Sequence, residues 1–283
     1  MARIPSADGI MLHVEAHGDG FPIVFANGLY TTLENWRPQV APCVEAGMRV
    51  ILWDYRGHGR SDAPEAYAAY SFERVLDDFE RVLDWAAPAA PAALVGLSFG
   101  GLASLHLALA RPERVCALVL ASTGPGFKNP EAQARWASLL ERSAERIERD
   151  GSAALLAGRA AATLIGRCPE HPAARAAARA IAAQRPRAVA LFARCVAAPL
   201  RPVIDRLQDV PHPSLVIAGA EDISFHAAAE LMAARIPRAE RVMLAGAGHM
   251  LNLDQPEAFN AVLIDFLARR QAAPGSSVST PDA

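Results

Sequence analysis

Three side chains in this protein have the types that acyl-transfer chemistry needs: Ser98, Asp222 and His249. A serine hydroxyl is a weak nucleophile at neutral pH. It requires a base that titrates near neutrality to take its proton, and a carboxylate to hold that base in one tautomer. Ser98 lies in Gly96-Leu97-Ser98-Phe99-Gly100-Gly101, with the apolar run Ala92 to Val95 before it and a helical pattern from Phe99 to Ala110 after it. The Gly-x-Ser-x-Gly spacing therefore sits where a strand turns sharply into a helix. Glycine at 96 and 100 tolerates the close approach and unusual dihedrals of such a turn. The hydroxyl is then held at a helix N-terminus, where unpaired N–H groups favour developing negative charge.

The partner residues follow other apolar runs. Gly219-Ala220-Glu221-Asp222 comes after Ser214 to Ala218, and Ala245-Gly246-Ala247-Gly248-His249 comes after Arg241 to Leu244. Adjacent residues in an extended loop point in opposite directions, so only one of Glu221 and Asp222 can face His249. The residues alone leave both acids open. His58, in the polar loop Asp54 to Asp62, competes for the role of base, while His226 falls in the first turn expected of a surface helix.

These residues need a scaffold, and the pattern around them supplies one. Ile10 to His17 and Phe21 to Ala26 flank Gly18-Asp19-Gly20 and predict an antiparallel hairpin. A helix is expected over Leu33 to Ala46, its limits blurred by Pro38 and Pro42, and a strand over Arg49 to Trp53. Phe72 to Trp85 is amphipathic, Val115 to Ala121 reads as a strand, and Pro256 to Arg270 as a closing helix. Alternating strands and helices predict an α/β fold: a mostly parallel sheet with helices on both faces and functional groups at the carboxyl ends of its strands. Residues 1–123 and 207–270 would form this core. Residues 124–206, alanine-rich and without a strand pattern, predict an inserted helical cap, and 271–283 a disordered tail.

Composition bounds the function. Hydrophobic residues make up 52%, charged residues 20%, and the net charge is −2, which gives no basis for nucleic-acid binding. Cys43, Cys116, Cys168 and Cys195 lack metal-site spacing, so buried free thiols, no metal and no cofactor are expected. The N-terminal residues carry no apolar leader pattern and no later run is long enough to span a bilayer, so a cytoplasmic protein without membrane contact is expected. Oligomeric state is left open. Within the expected cap, arginine outnumbers acid. Glu141 with Glu145, and Arg142 with Arg146 and Arg149, are set for pairing along the helix surface. One or two arginines facing inward would suit a substrate carboxylate.

Taken together, Gly96 to Gly101, Asp54-Tyr55-Arg56-Gly57-His58-Gly59-Arg60-Ser61, Gly219 to Asp222 and Gly246 to His249 resemble the motifs of the α/β-hydrolase fold superfamily over nearly the whole chain. The resemblance implies Ser98 as nucleophile, His249 as base, and Asp222 rather than Glu221 as the orienting acid. It implies backbone N–H groups of Leu29 and Phe99 as the oxyanion hole. It makes the His58 loop structural, tied down by Asp54 and Arg56. Asn27-Gly28 stands where most members have His-Gly, which leaves the N–H of Leu29 available. Serine at 98 departs from the epoxide hydrolases and haloalkane dehalogenases of this fold, which place aspartate there, and Met250 departs from the tryptophan common after the histidine in carbon–carbon bond hydrolases. Phe25-Ala26-Asn27-Gly28-Leu29 and the Ser98 motif are most similar to 3-oxoadipate enol-lactonase-type enzymes. The implied activity is hydrolysis of a small carboxylic ester or lactone, with an acidic substrate suited to the basic cap. Carbon–carbon bond hydrolysis, cofactor-free oxygen or peroxide chemistry, and ligand binding without turnover are the alternatives on the same fold.

Overall fold

A computed structural model describes residues 1–271. Eight strands form one sheet: β1 (Ala2–Pro5), β2 (Met11–His17), β3 (Phe21–Ala26), β4 (Met48–Trp53), β5 (Ala92–Leu97), β6 (Val115–Ala121), β7 (Ser214–Gly219) and β8 (Ala239–Leu244). Their spatial order is β1-β2-β4-β3-β5-β6-β7-β8. β1 pairs with β2 and β2 with β4 in antiparallel fashion, and every neighbour pair from β4 through β8 is parallel. All residues of β5 and β7 are buried, as strands covered by helices on both faces must be. The helices are α1 (Arg37–Glu45), α2 (Phe72–Ala86), α3 (Phe99–Ala110), α4 (Pro130–Asp150), α5 (Ala162–Ile165), α6 (Pro172–Ala182), α7 (Pro186–Phe192), α8 (Ile223–Arg235), α9 (Leu251–Asp254) and α10 (Pro256–Gln271). No helix of the described residues is long and apolar enough to cross a membrane.

Two local expectations are corrected. β2 and β3 do not form a hairpin, because β4 lies between them, with Val14 opposite Trp53 on one side and Ile23 beside Val50 on the other. Alternation defines a strand but not its neighbour. The almost wholly apolar β4, buried along nearly its whole length, gains more by entering the sheet than by capping its edge. The helix expected over Leu33 to Ala46 is instead a 3₁₀ turn at Leu33–Trp36 followed by α1. Pro38 lacks an N–H and so belongs in a first turn, where none is needed. Pro42 leaves the Pro38 carbonyl without its helical donor, and Asn260 Nδ2 supplies one at 3.1 Å. β1, a four-residue edge strand, has too few residues to carry a pattern. Of the cysteines, Cys43 is buried as expected, whereas Cys116 and Cys195 are only partly buried and Cys168 is exposed. The tail positions 272–283 lie outside the described residues.

Between β6 and β7 the chain runs through α4 to α7, short 3₁₀ turns and a π-helical turn at Ala193–Ala197, with no strand. Two acids of α4 bridge to α7 and the π-helical turn, while Glu131 pairs along α4 with Arg135. Glu148 takes Arg187 at 2.6 Å and Arg194 at 2.8 Å, and Glu141 takes Arg194 at 2.9 Å. Phe192 joins this segment to the sheet, its ring 4.5 Å from that of His58, 5.4 Å from that of Phe99 and 5.5 Å from that of Tyr55. All four side chains are buried. Phe192→Ala is expected to destabilise the fold by about 3–5 kcal/mol, read as a lower denaturant midpoint with an unchanged slope. A loss under about 1 kcal/mol would mean that the insertion does not depend on this aromatic seat.

Candidate active site

Ser98 occupies the turn between β5 and α3 in a left-handed conformation, φ 52° and ψ −116°. Non-glycine residues rarely hold such angles, and here the surroundings enforce them. Ser98 N–H donates to Ala121 O at 2.9 Å, its carbonyl accepts from Thr123 Oγ1 at 2.5 Å, and α3 begins at the next residue. A Cβ at position 96 would lie 2.4 Å from Gly100 O, and one at position 100 would lie 2.2 Å from Ala26 O, so only glycine lets β3, β5 and α3 meet here.

The ends of the other strands converge on the same point. Asn27 follows β3 and is buried, its side-chain amide donating to Trp53 O at 2.7 Å and its carbonyl accepting from Tyr55 Oη at 2.9 Å. The residue that replaces the common histidine thus anchors this loop to β4. Thr31 closes the turn with two bonds to Gly28 O, and Tyr30 takes a φ of 67°. Among the described residues, neither Leu29 N–H nor Phe99 N–H has a protein acceptor. Two unpaired donors beside a serine are what a developing oxyanion would require.

Asp222, just past β7, reaches His249, past β8: His249 Nδ1 lies 2.8 Å from Asp222 Oδ2, with both side chains nearly buried. Glu221 turns the other way, its carboxylate 2.6 Å from Arg167. The imidazole packs against Phe225 at 4.8 Å, and its Nε2 makes no protein hydrogen bond among the described residues. Ser98, Asp222 and His249 all line one cavity of about 500 Å³, together with Gly28 and Leu29. Its far wall comes from the insertion, through Trp136, Leu140, Ile147, Leu155 and Leu164. Arg142 and Arg146 also border it, and among the described residues neither forms an ion pair or hydrogen bond, unlike Arg187 and Arg194 nearby.

His58 has no access to this chemistry. It is fully buried outside the cavity, its Nδ1 3.3 Å from Arg56 O, and burial pushes its pKa down to about 4, so it stays neutral. Its loop is fixed as the resemblance implied. Asp54 accepts from Leu33 N at 2.9 Å and Arg60 N at 3.0 Å, and Arg56 holds Asp78 through two bonds of 2.7 Å. His226 stands in the first turn of α8, with Nε2 3.0 Å from Gly219 O.

A sequence model of the alpha/beta hydrolase fold family matches residues 22–256. The chain is an α/β-hydrolase. This hydrolase is 32% identical over 277 residues to a Variovorax paradoxus protein named as a candidate carbamate hydrolase, RutD, covering 93% of this chain and 98% of that one. It also resembles the enol-lactonase from Burkholderia xenovorans LB400, with TM-score 0.79 and 26% identity over 94% of this chain and 100% of the other. A thermophilic esterase from Thermogutta terrifontis with malate bound aligns at TM-score 0.81 and 27% identity, covering 95% and 98%.

Residues that carried no sequence signal also shape the cavity. Tyr30 Oη donates to Ser143 Oγ at 3.0 Å, and burial pushes this phenol up to about 12. Gln184 Nε2 donates to Tyr30 O at 2.8 Å, so α4 and the turn between α6 and α7 both grip the loop carrying Leu29. These contacts join residues more than a hundred positions apart, and no local periodicity marks them.

Proposed function

We propose that this hydrolase cleaves a small carboxylic ester or lactone through an acyl-enzyme on Ser98. The observation that carries the reading is the Asp222–His249 hydrogen bond of 2.8 Å on the wall of the cavity that holds Ser98. Asp222 fixes the proton on Nδ1, which leaves Nε2 free to take the Ser98 proton as the hydroxyl attacks and to return it to the leaving oxygen. Water then attacks the acyl-enzyme with the same base. The N–H groups of Leu29 and Phe99 receive the oxyanion. Residues 124–206 serve as the cap that closes the cavity and excludes water. A fluorophosphonate probe should label the protein at Ser98, and p-nitrophenyl acetate should be hydrolysed. A protein that reacts with neither is not a serine hydrolase.

A second reading changes only the acyl group. The similarity to the protein named as a carbamate hydrolase extends over nearly both chains, and a carbamate presents a carbonyl to the same nucleophile. Release of ammonia or amine from carbamates faster than alcohol from matched esters would favour it.

For the substrate itself, the unpartnered Arg142 and Arg146 favour an acid. Two arginines one helical turn apart on the cavity wall match a carboxylate, and the structure of an esterase of similar fold has malate bound. Arg142→Ala with Arg146→Ala should raise KM roughly tenfold for a carboxylate-bearing ester and leave its neutral analogue within about twofold. Equal changes for both esters would remove the acidic-substrate reading.

A further inference from the structure

Arg167 lies in the insertion two residues after α5, and α5 supplies Thr163 and Leu164 to the cavity wall. From there it reaches both loops that carry the proposed catalytic partners. Its Nη1 donates to Gly246 O at 3.2 Å, and its Nη2 lies 2.6 Å from Glu221 Oε2, beside Asp222. Asp254, the last residue of α9, completes the joint. Its Oδ1 accepts from Arg167 N at 2.6 Å and its Oδ2 from Gly248 N at 2.8 Å, immediately before His249. The two loops are themselves joined by Glu221 N donating to Ala247 O at 3.0 Å. There is no slack at this point, because a Cβ on Gly248 would lie 3.1 Å from Arg167 Cδ and 3.3 Å from Asp254 Oδ2.

We propose that Arg167 and Asp254 are positioning residues that tie the cavity wall at Thr163 and Leu164 to the loops bearing Asp222 and His249. Seating of the wall and alignment of the base then become one event. The inference rests on His249 and Ser98 acting as proposed above. Asp254 acts through the Gly248 N–H and touches no substrate. Its two oxygens each accept from a backbone N–H, so an amide cannot replace it: the NH₂ group would face a donor. Arg167 acts through Gly246 O and Glu221, and its guanidinium is half-exposed, which makes it removable without emptying the core.

The test compares Arg167→Ala, Asp254→Ala, Asp254→Asn and Asp254→Glu with the parent protein in p-nitrophenyl acetate kinetics, fluorophosphonate labelling rate and thermal midpoint. Asp254→Ala and Asp254→Asn should lower kcat and the labelling rate about 10- to 100-fold with KM within about threefold, and Asp254→Glu should recover part of both. Arg167→Ala should lower kcat about three- to tenfold, again with KM little changed. Folded variants with parent kcat, or with the whole effect in KM, would overturn the positioning role. Should the Asp254 variants fail to fold, Arg167→Ala decides: a fall in kcat and labelling sustains the proposal and parent values end it. If Ser98 in the parent protein is not labelled at all, the serine-hydrolase reading fails and takes this inference with it.

Discussion

Ser98→Ala is expected to lower kcat for p-nitrophenyl acetate roughly 10⁴- to 10⁶-fold and to abolish fluorophosphonate labelling, with the thermal midpoint close to that of the parent protein. The size of the effect follows from the division of labour at the turn. On the proposed mechanism, removing the hydroxyl removes the covalent path while the Leu29 and Phe99 N–H groups and the cavity remain to bind the carbonyl, so the residual rate would be that of water in a polarising pocket. Alanine at this position keeps the φ of 52°, which the backbone bond from Ser98 N–H to Ala121 O and the Thr123 contact impose without using Oγ. Stability should therefore change little. Activity within about tenfold of the parent would place the nucleophile elsewhere.

Asp222→Asn should lower kcat about 10³- to 10⁴-fold, measured with the same ester, whereas Glu221→Gln should stay within about tenfold. The carboxylate Oδ2 accepts from His249 Nδ1 at 2.8 Å and so forces the proton there. An amide turned to donate would push that proton to Nε2, and an imidazole protonated at Nε2 cannot take one from serine. Glu221 contacts Arg167 instead, so its loss weakens a half-exposed ion pair and leaves the imidazole in its working tautomer. Reversed magnitudes for the two acids would require the loop after β7 to rotate by one residue.

Much of this site was legible in the chain itself. The strand before Ser98, the glycines around it and the helix after it are set by contacts between residues within a few positions of one another. α3 begins at Phe99 and ends at Ala110, the limits the pattern predicts. Asp222 and His249 could be placed because each follows a run that reads as a strand, β7 buried throughout and β8 at the sheet edge, and parallel strands bring their carboxyl ends to one edge. Glu221 and Asp222 were harder to separate. Sequence spacing puts them on opposite sides of a loop but does not say which side faces the histidine.

The turn at Ser98, the run of strands and helices, and the kinds of group that follow each strand are all readable along the chain. These depend on backbone dihedrals and side-chain burial within short segments. Packing of the folded chain sets that β4 lies between β2 and β3, that Phe192 seats the insertion against His58, that Arg142 and Arg146 border the cavity while Arg187 and Arg194 are bound by glutamates, and that Arg167 and Asp254 hold the histidine loop. Each of these is a choice among distant partners of similar chemistry. It is settled by which arrangement buries apolar surface while satisfying most of the polar groups it encloses, a condition on the whole chain that no local window contains.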